Sequence, residues 1–569
     1  MVILREELKI NHINMWEKTA PAERVNLSTS ATCDGGEARP PMVWLRSCDA
    51  ETLTPIKGIR KGEIPSWLSG RLTRNGPGKT SFGDSQYNHL FDGSAYLHQF
   101  NIADGEVTYQ SRFLQSDTYK KNFLHNRIVV SEFGTLASPD PCKTLFQRFM
   151  SFFDPAGKNP TDNCSVNVTY IGDELYALSE LPHMRRIDPE TLNCVGERTK
   201  LNDYIAISQA TAHPHVDPDG TLYNMGNKYD DKGGPTYNII KLPPPEIVNG
   251  VTISSLEQAE IVASIPAQWR MYPSYYHSFG MTDNYFIFVE MPFVLNLGRF
   301  MYNHFMRKPY FTSLNWFPDE KTKFRVIRRD TGELVNTSYA AKAFLTFHHT
   351  NAYEKDGHLI VDLCGIDDGA TVYQLMLKNF EDPDFETAPS TMGTHRRFVL
   401  PLDVDNAPED TNLVKLPGTK SNAYKQHNGC IEVSYEELSD IYFDLPRINY
   451  RLNGKEYTYV YGVEIDPKGI EFCNLVKMDV TTGETKIWHE NGKLVSEPVF
   501  VAGPNSKEED YGVVLSSLID KHNPKYVALV VMDPKTWKEL GRVEFEANGA
   551  VTSTFHGMFA GTDETVHRY

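Results

Sequence analysis

The chain is poor in cysteine: 569 residues carry eight, and no two form a Cys-x-x-Cys pair. No His-Glu-x-x-His helix motif compensates, so no short-range metal-ligand pattern exists. Positive charge is also short. Fifty-seven Lys and Arg face 74 Asp and Glu, a net −17, with no basic stripe, which excludes nucleic acid as a partner. No stretch approaches the roughly 20 apolar residues that cross a bilayer. The first residues, MVILREELKINHINMWEKTAPAERV, carry acidic side chains early and no apolar core, unlike a secretory signal. The expectation is a chain that starts in the cytosol, keeps its thiols reduced and leaves sequons such as Asn167-Val168-Thr169 unused. There is no Gly-x-Ser-x-Gly, no P-loop and no Gly-x-Gly-x-x-Gly after a strand. If the chain is an enzyme, a metal is the most economical catalyst left.

What is present is core-forming material: 40% hydrophobic residues and 12% aromatics, enough to rule out disorder along the whole chain. Residues 1–50 are polar and mixed and read as an N-terminal arm. From about residue 101 one device recurs: a short β-branched or aromatic run, a tight Asp/Gly/Pro/Thr turn, and another run. NIADGEVTYQ, VDPDGTLYN, RRDTGELV, EIDPKGIEF and MDVTTGETKIW are examples. No helical interlude suggests a parallel sheet. So many antiparallel hairpins must hide their edges. A β-propeller does so by radial repetition, and a pair of sandwich domains is the competing arrangement.

Two segments break the pattern. PDPCKTLFQRFMSFFDP, residues 139–155, spaces Leu145, Phe146, Phe149, Met150 and Phe153 as one helical face, with Asp140 and Pro141 suited to its start. MPFVLNLGRFMYNHFMRKPYF, residues 291–311, holds more Phe, Met and Leu than a loop needs. Both patterns suit core helices. Both also suit a monotopic membrane face, with rings in lipid and Lys and Arg at headgroups.

Histidine is the remaining chemical resource, 18 in all. His213, His277, His348, His349 and His556 lie in aromatic, strand-like surroundings. His348 and His349 are neighbours in a strand, so they face opposite ways and cannot share one pocket. Ligands from separate strands show no sequence spacing, so spacing alone identifies no metal site.

RLTRNGPG (71–78), HLFDGSAYLHQF (89–100), SEFGTLASPDPCK (131–143), ATAHPH (210–215), PSYYHSFG (273–280), FHHTNAYE (347–354), LPRINY (445–450), SEPVFV (496–501) and FHGMF (555–559) together resemble the carotenoid cleavage oxygenase family. The matches run in order from about residue 55 to 560. PDPCK points to the animal branch, and within it the chain looks most like the insect carotenoid isomerooxygenases.

The resemblance implies an all-β, seven-bladed β-propeller over residues 51–569, with a helical and loop cap carrying a membrane-binding face. It implies Fe(II) on the axis, held by His213, His277, His348 and His556, with O2 as co-substrate. His348 is chosen over His349 because the family motif is Phe-His-x-x-Asn, here ending at Asn351. Glu180, Asp444 and Glu497 match carboxylates that accept the outer N–H of three of these rings. Asp444 stands where many relatives have Glu, so the shorter arm calls for a shifted strand or a bridging water. Phe91, Phe133 and Tyr275 match tunnel-lining positions, and Cys142 matches a cysteine linked to lipidation.

The implied activity is cleavage of a C40 carotenoid at its central double bond, coupled to trans-to-11-cis isomerisation. A retinyl ester isomerohydrolase, eccentric cleavage to apocarotenals and a non-catalytic carotenoid-binding propeller are the alternatives. The implied partners are the polyene, a membrane surface and a second copy in a homodimer. The implied location is the cytoplasm, peripheral to a membrane.

Overall fold

The computed structural model describes residues 42–138, 160–229, 233–505 and 507–562. Antiparallel strands make up almost all of its regular structure. The turn chemistry read from the sequence is what joins them. Ser94–Ala103 pairs with Glu106–Phe113 through Asp104-Gly105, whose φ angles of 52° and 75° give the hand that two-residue hairpins need. Asp356-Gly357 (φ 45° and 74°) does the same between Leu345–Lys355 and His358–Ile366.

These hairpins stack into a propeller-like series of sheets. The first contains Thr52–Lys57, Glu106–Phe113, Ser94–Ala103, Gly70–Lys79 and, from the far end of the chain, His556–Gly561. Four- and five-stranded sheets follow, then a nine-stranded sheet, a four-stranded sheet and a six-stranded one. Ile59–Gly62, near the start, joins the last large sheet against Lys538–Glu546. The start and the end of the described fold are thus interlocked, each contributing a strand to the other's sheet.

Cores lie between consecutive sheets. Leu72, Phe100 and Tyr109 of the first pack with Leu515, Leu529 and Phe545 of the last. Buried asparagines tie one sheet's inner strand to the backbone of the next. Asn75 Nδ2 donates to the carbonyls of Cys164 and Asn167, and Asn167 Nδ2 donates to that of Ala212. Asn351 Nδ2 donates to those of Leu452 and Lys455.

The packed structure begins before the arm boundary drawn at residue 50. Val43 and Trp44 are buried, and Arg46 Nη2 donates to the carbonyls of Asp520 and Lys521. The polar composition concealed this because the four apolar residues Met42, Val43, Trp44 and Leu45 form one short run with no period. Segment 139–155 lies outside the described residues, and with it Cys142, Leu145, Phe146, Phe149, Met150 and Phe153.

The 291–311 stretch is mixed. Phe293–Leu295 is a strand and Leu297–Met306 a helix, capped by Asn296, whose Oδ1 accepts from Arg299 N at 2.9 Å. Phe293 and Phe311 are buried, whereas Met301 is 72% and Phe305 57% exposed. Among the described residues no helix is long and apolar enough to cross a membrane.

Candidate metal centre

Four histidines far apart in the sequence converge, His348 and His556 from strands and His213 and His277 from loops. One nitrogen from each of His213, His277, His348 and His556 lies within 4.8 Å of all the others. His213 follows Ala212, whose carbonyl Asn167 holds, and its own N–H donates to Thr211 Oγ1 at 3.1 Å. His348 sits where the Leu345–Lys355 strand slips register between Thr346 and Asn351. His556 opens the last strand opposite Asn75. His213 Nε2 is 2.8 Å from His277 Nε2, and His348 Nε2 is 3.3 Å from His556 Nε2.

Carboxylates fix the outer nitrogens of three rings. His277 Nδ1 bonds to Glu180 Oε1, His348 Nδ1 to Asp444 Oδ1 at 2.6 Å, and His556 Nδ1 to Glu497 Oε1 at 2.9 Å. A carboxylate accepts, so each of these Nδ1 atoms carries the proton and each Nε2 presents a lone pair. Burial lowers His213 well below the usual range, reinforced by His556, His277 and His348, and lowers His556 to about 4 despite Glu497. Neutral rings with lone pairs this close repel one another unless a cation lies between them. Metal–imidazole bonds are about 2.0–2.1 Å, which sets neighbouring nitrogens at a right angle about 3 Å apart. The donor set therefore fits one divalent metal, and imidazole suits iron, copper and zinc.

Asp444 reaches His348 without a bridging water. The strand accommodates its shorter arm. Register shifts between Asp444 and Arg447, and Leu445 takes φ 53°, a left-handed conformation rare outside glycine. Leu445 N–H then donates to Asp444 Oδ1 at 2.8 Å.

Arg447 and Arg74 complete the surroundings, and sequence reasoning gave them no role. Arg447 donates Nε to Glu497 Oε1 at 2.9 Å and Nη2 to Oε2 at 3.1 Å. Arg74, fully buried, has Nη1 3.8 Å from Glu497 Oε2. Both lie in motifs quoted above, but their convergence on Glu497 spans more than 400 residues for Arg74. Burial pushes the Glu497 carboxyl up, yet Arg447, His556 and Arg74 together hold it well below the carboxylate range.

His349 points elsewhere: its Nδ1 contacts Ser278 Oγ at 2.8 Å. His215 likewise turns away, with Nε2 2.9 Å from the Phe279 carbonyl.

His277, His348 and His556 of the cluster form part of the wall of a cavity of about 1360 Å³. Phe91, Phe133 and Tyr275 all line it. Tyr275 has a further contact that the sequence did not reveal, since its hydroxyl donates to Glu180 Oε1 at 2.6 Å. Met301 and Phe305 also line the cavity, and their exposure shows that it reaches the surface beside the 297–306 helix.

The family model described as Retinal pigment epithelial membrane protein matches residues 45–561. The chain is similar to the Carotenoid-cleaving dioxygenase, mitochondrial, of Mustela putorius furo, 44% identical over 92% of this chain and 97% of the relative. It is similar to the Beta,beta-carotene 15,15'-dioxygenase of Gallus gallus, 41% identical over 89% and 95%. Among solved structures it resembles cobalt-substituted Synechocystis ACO, with TM-score 0.71 and 21% identity over 91% of this chain and 98% of that one. The mitochondrial name of the relatives overturns the cytoplasmic expectation. That expectation rested on a missing secretory signal, which bears on one route of export and not on organelle import. From a family model that spans nearly the whole described fold, and relatives at this identity along almost their full length, the chain belongs to the retinal pigment epithelial membrane protein family, the carotenoid oxygenase family.

Proposed function

We propose that the chain is a non-haem Fe(II) dioxygenase that cleaves a C40 carotenoid at its central double bond to two retinal-type aldehydes. The observation that carries this reading is a cluster of four converging imidazoles, three of which, His277, His348 and His556, line a large, mainly apolar cavity. Relatives named carotenoid-cleaving dioxygenase and 15,15'-dioxygenase support the substrate class and the central bond.

His213, His277, His348 and His556 would hold the iron through Nε2. Bound there, iron would supply one-electron chemistry toward O2 and an electron-rich polyene. Glu180, Asp444 and Glu497 keep the ring protons on Nδ1 and aim the rings. Four neutral imidazoles leave the cation's full charge in place. Phe91, Phe133 and Phe347 line the passage and exclude water around the polyene. Both atoms of O2 enter across one C=C bond, and each carbon leaves as an aldehyde. Polyene held bent in this passage could rotate about a weakened double bond, coupling trans-to-cis isomerisation to cleavage.

The fold reading extends in the same way to a single domain with seven blades. The nine-stranded sheet divides where Tyr339–Ala341 meets Ile431–Glu437 through just two parallel residue pairs, and counting its halves separately yields that number. Exposed Met301 and Phe305 at the cavity's surface opening support a membrane-docked mouth from which a lipid-soluble substrate enters. A mitochondrial membrane accords with the relatives' name.

The test is product chromatography and mass spectrometry on iron-loaded protein given β-carotene under 18O2. Two C20 aldehydes, each with one heavy oxygen and one of them 11-cis, are expected. Longer apocarotenals would move the cut off centre. All-trans products alone would remove the isomerase step. Turnover of a retinyl ester without O2 uptake would replace the reading with an isomerohydrolase.

A further inference from the structure

Three of the four converging rings are aimed by a carboxylate at Nδ1, and His213 is not. Its Nε2 lies beside His277 Nε2, and among the described residues no protein group bonds to its Nδ1. His213 is also the one ring of the four that does not line the cavity. Neither a carboxylate nor the cavity wall therefore sets where this nitrogen points.

The main chain around His213 is held instead. Thr211, two residues upstream, is 3% exposed. Its N–H donates to the Met225 carbonyl at 2.9 Å, and its own carbonyl accepts from Asn224 Nδ2 at 2.8 Å. Its hydroxyl donates to Asn224 Oδ1 at 2.7 Å and accepts the His213 N–H at 3.1 Å. A hydroxyl that donates becomes a better acceptor, so the two bonds strengthen each other. From the neighbouring sheet, Asn167 Nδ2 donates to the Ala212 carbonyl at 2.7 Å. Pro214 follows His213, and a residue before proline is confined to extended conformations. The backbone of His213 is thus fixed from both sides, which leaves its ring only the side-chain torsions to move about.

We propose that Thr211 is the positioning residue of His213. Its hydroxyl does through the main chain what Glu180, Asp444 and Glu497 do for the other three rings through Nδ1. Without that hydroxyl the His213 N–H is left unpaired, and Asn224 Oδ1 keeps only the Met225 N–H at 2.8 Å. The proposal rests on the metal-centre reading and holds whichever reaction the metal serves.

The experiment titrates cobalt(II) into chelator-treated wild type, Thr211→Val, Thr211→Ala, Thr211→Ser, His213→Ala and the double variant His213→Ala with Thr211→Val. The visible bands of cobalt report both affinity and coordination geometry. Thr211→Val is expected to weaken cobalt binding by about tenfold and to shift the bands, as loss of an orienting partner does. Thr211→Ala, which removes the hydroxyl without adding a buried methyl group, gives the same comparison if valine is not accommodated. Thr211→Ser keeps the hydroxyl and should match wild type. With His213 already removed, Thr211→Val should cost no further affinity, because the ring it positions is gone. Binding of β-carotene at saturating cobalt without O2, read from the shift in polyene absorbance, should be unchanged in Thr211→Val, since neither Thr211 nor His213 lines the cavity. Wild-type cobalt binding in both Thr211→Val and Thr211→Ala overturns the proposal, as does a failure of serine to restore it. An equal loss in the His213→Ala background also overturns it, since Thr211 would then stabilise the fold at large. So does a parallel fall in polyene binding. Wild type that takes up no cobalt, or unchanged binding in His213→Ala, removes the metal reading and the proposal with it. Binding that needs His213 but ignores Thr211 removes the proposal alone.

Discussion

Removing the negative charge of Glu497 tests how the centre is held together. Glu497 is 2% exposed and accepts bonds from His556, from Arg447 twice and from Gly557 N–H, with Arg74 close by. Glu497→Gln keeps the shape but leaves two arginines facing a neutral amide, one of them fully buried. Breaking a buried pair by neutralising one partner costs about 3–5 kcal/mol. Asp444→Asn is the internal control. Its carboxylate also serves a ring, His348, but no arginine ion-pairs with it among the described residues. Loss of one hydrogen bond to a charged group is worth about 1.5–3 kcal/mol. Both variants should weaken iron binding by about 10- to 100-fold, because both release a ring from its orienting partner. Urea unfolding of chelator-treated protein should place Glu497→Gln below Asp444→Asn by about 2 kcal/mol. Equal stabilities, or a stable Glu497→Gln variant with wild-type iron affinity, would refute the assignment of Glu497 as the shared anchor of His556 and two arginines.

Burial pushes the Asp92 carboxyl up to about 7, against its hydrogen bonds from Thr135 and Gly134. Its unfolded value is near 3.8, so the folded state keeps a proton that the unfolded chain has released. Stability should be greatest below about pH 4 and fall by roughly 4 kcal/mol up to about pH 7 through this group; Asp92→Asn should flatten that slope, and an unchanged slope would count against it. Asn351→Ala removes the donor to two carbonyls of the 452–455 loop and the acceptor for Gly454 N–H. A loss of about 2–3 kcal/mol is expected in denaturant unfolding, and a change below 0.5 kcal/mol would show the loop is held otherwise. Met301→Asp with Phe305→Asp should abolish pelleting with liposomes while leaving turnover of detergent-solubilised carotenoid within about twofold, since each side chain buries about 1.5–3 kcal/mol of apolar contact. Unchanged pelleting would move the docking surface elsewhere.

The hairpins were legible because Asp-Gly turns such as Asp104-Gly105 dictate a backbone hand. Alternation along a strand correctly set His348 apart from His349, but choosing between them took a motif match. Glu180, Asp444 and Glu497 were legible through their motifs as well. Arg447 and Arg74 were not, since an arginine in a strand has no signature until the carboxylate it meets is known. The left-handed Leu445 was equally hidden, because nothing local distinguishes it from an ordinary strand leucine. The 291–311 stretch misled in part. Apolar content alone does not separate Phe293, which is core, from Phe305, which faces out. The membership of His556–Gly561 in the first sheet depends on chain closure over nearly 500 residues, beyond the reach of any window.

X-ray absorption at the iron edge of the loaded, purified protein tests the central claim most directly. Four imidazole nitrogens at about 2.1 Å, reduced in number or lost when His556 is replaced by alanine, are predicted. A shell dominated by carboxylate oxygen, or one unchanged in His556→Ala, would contradict it.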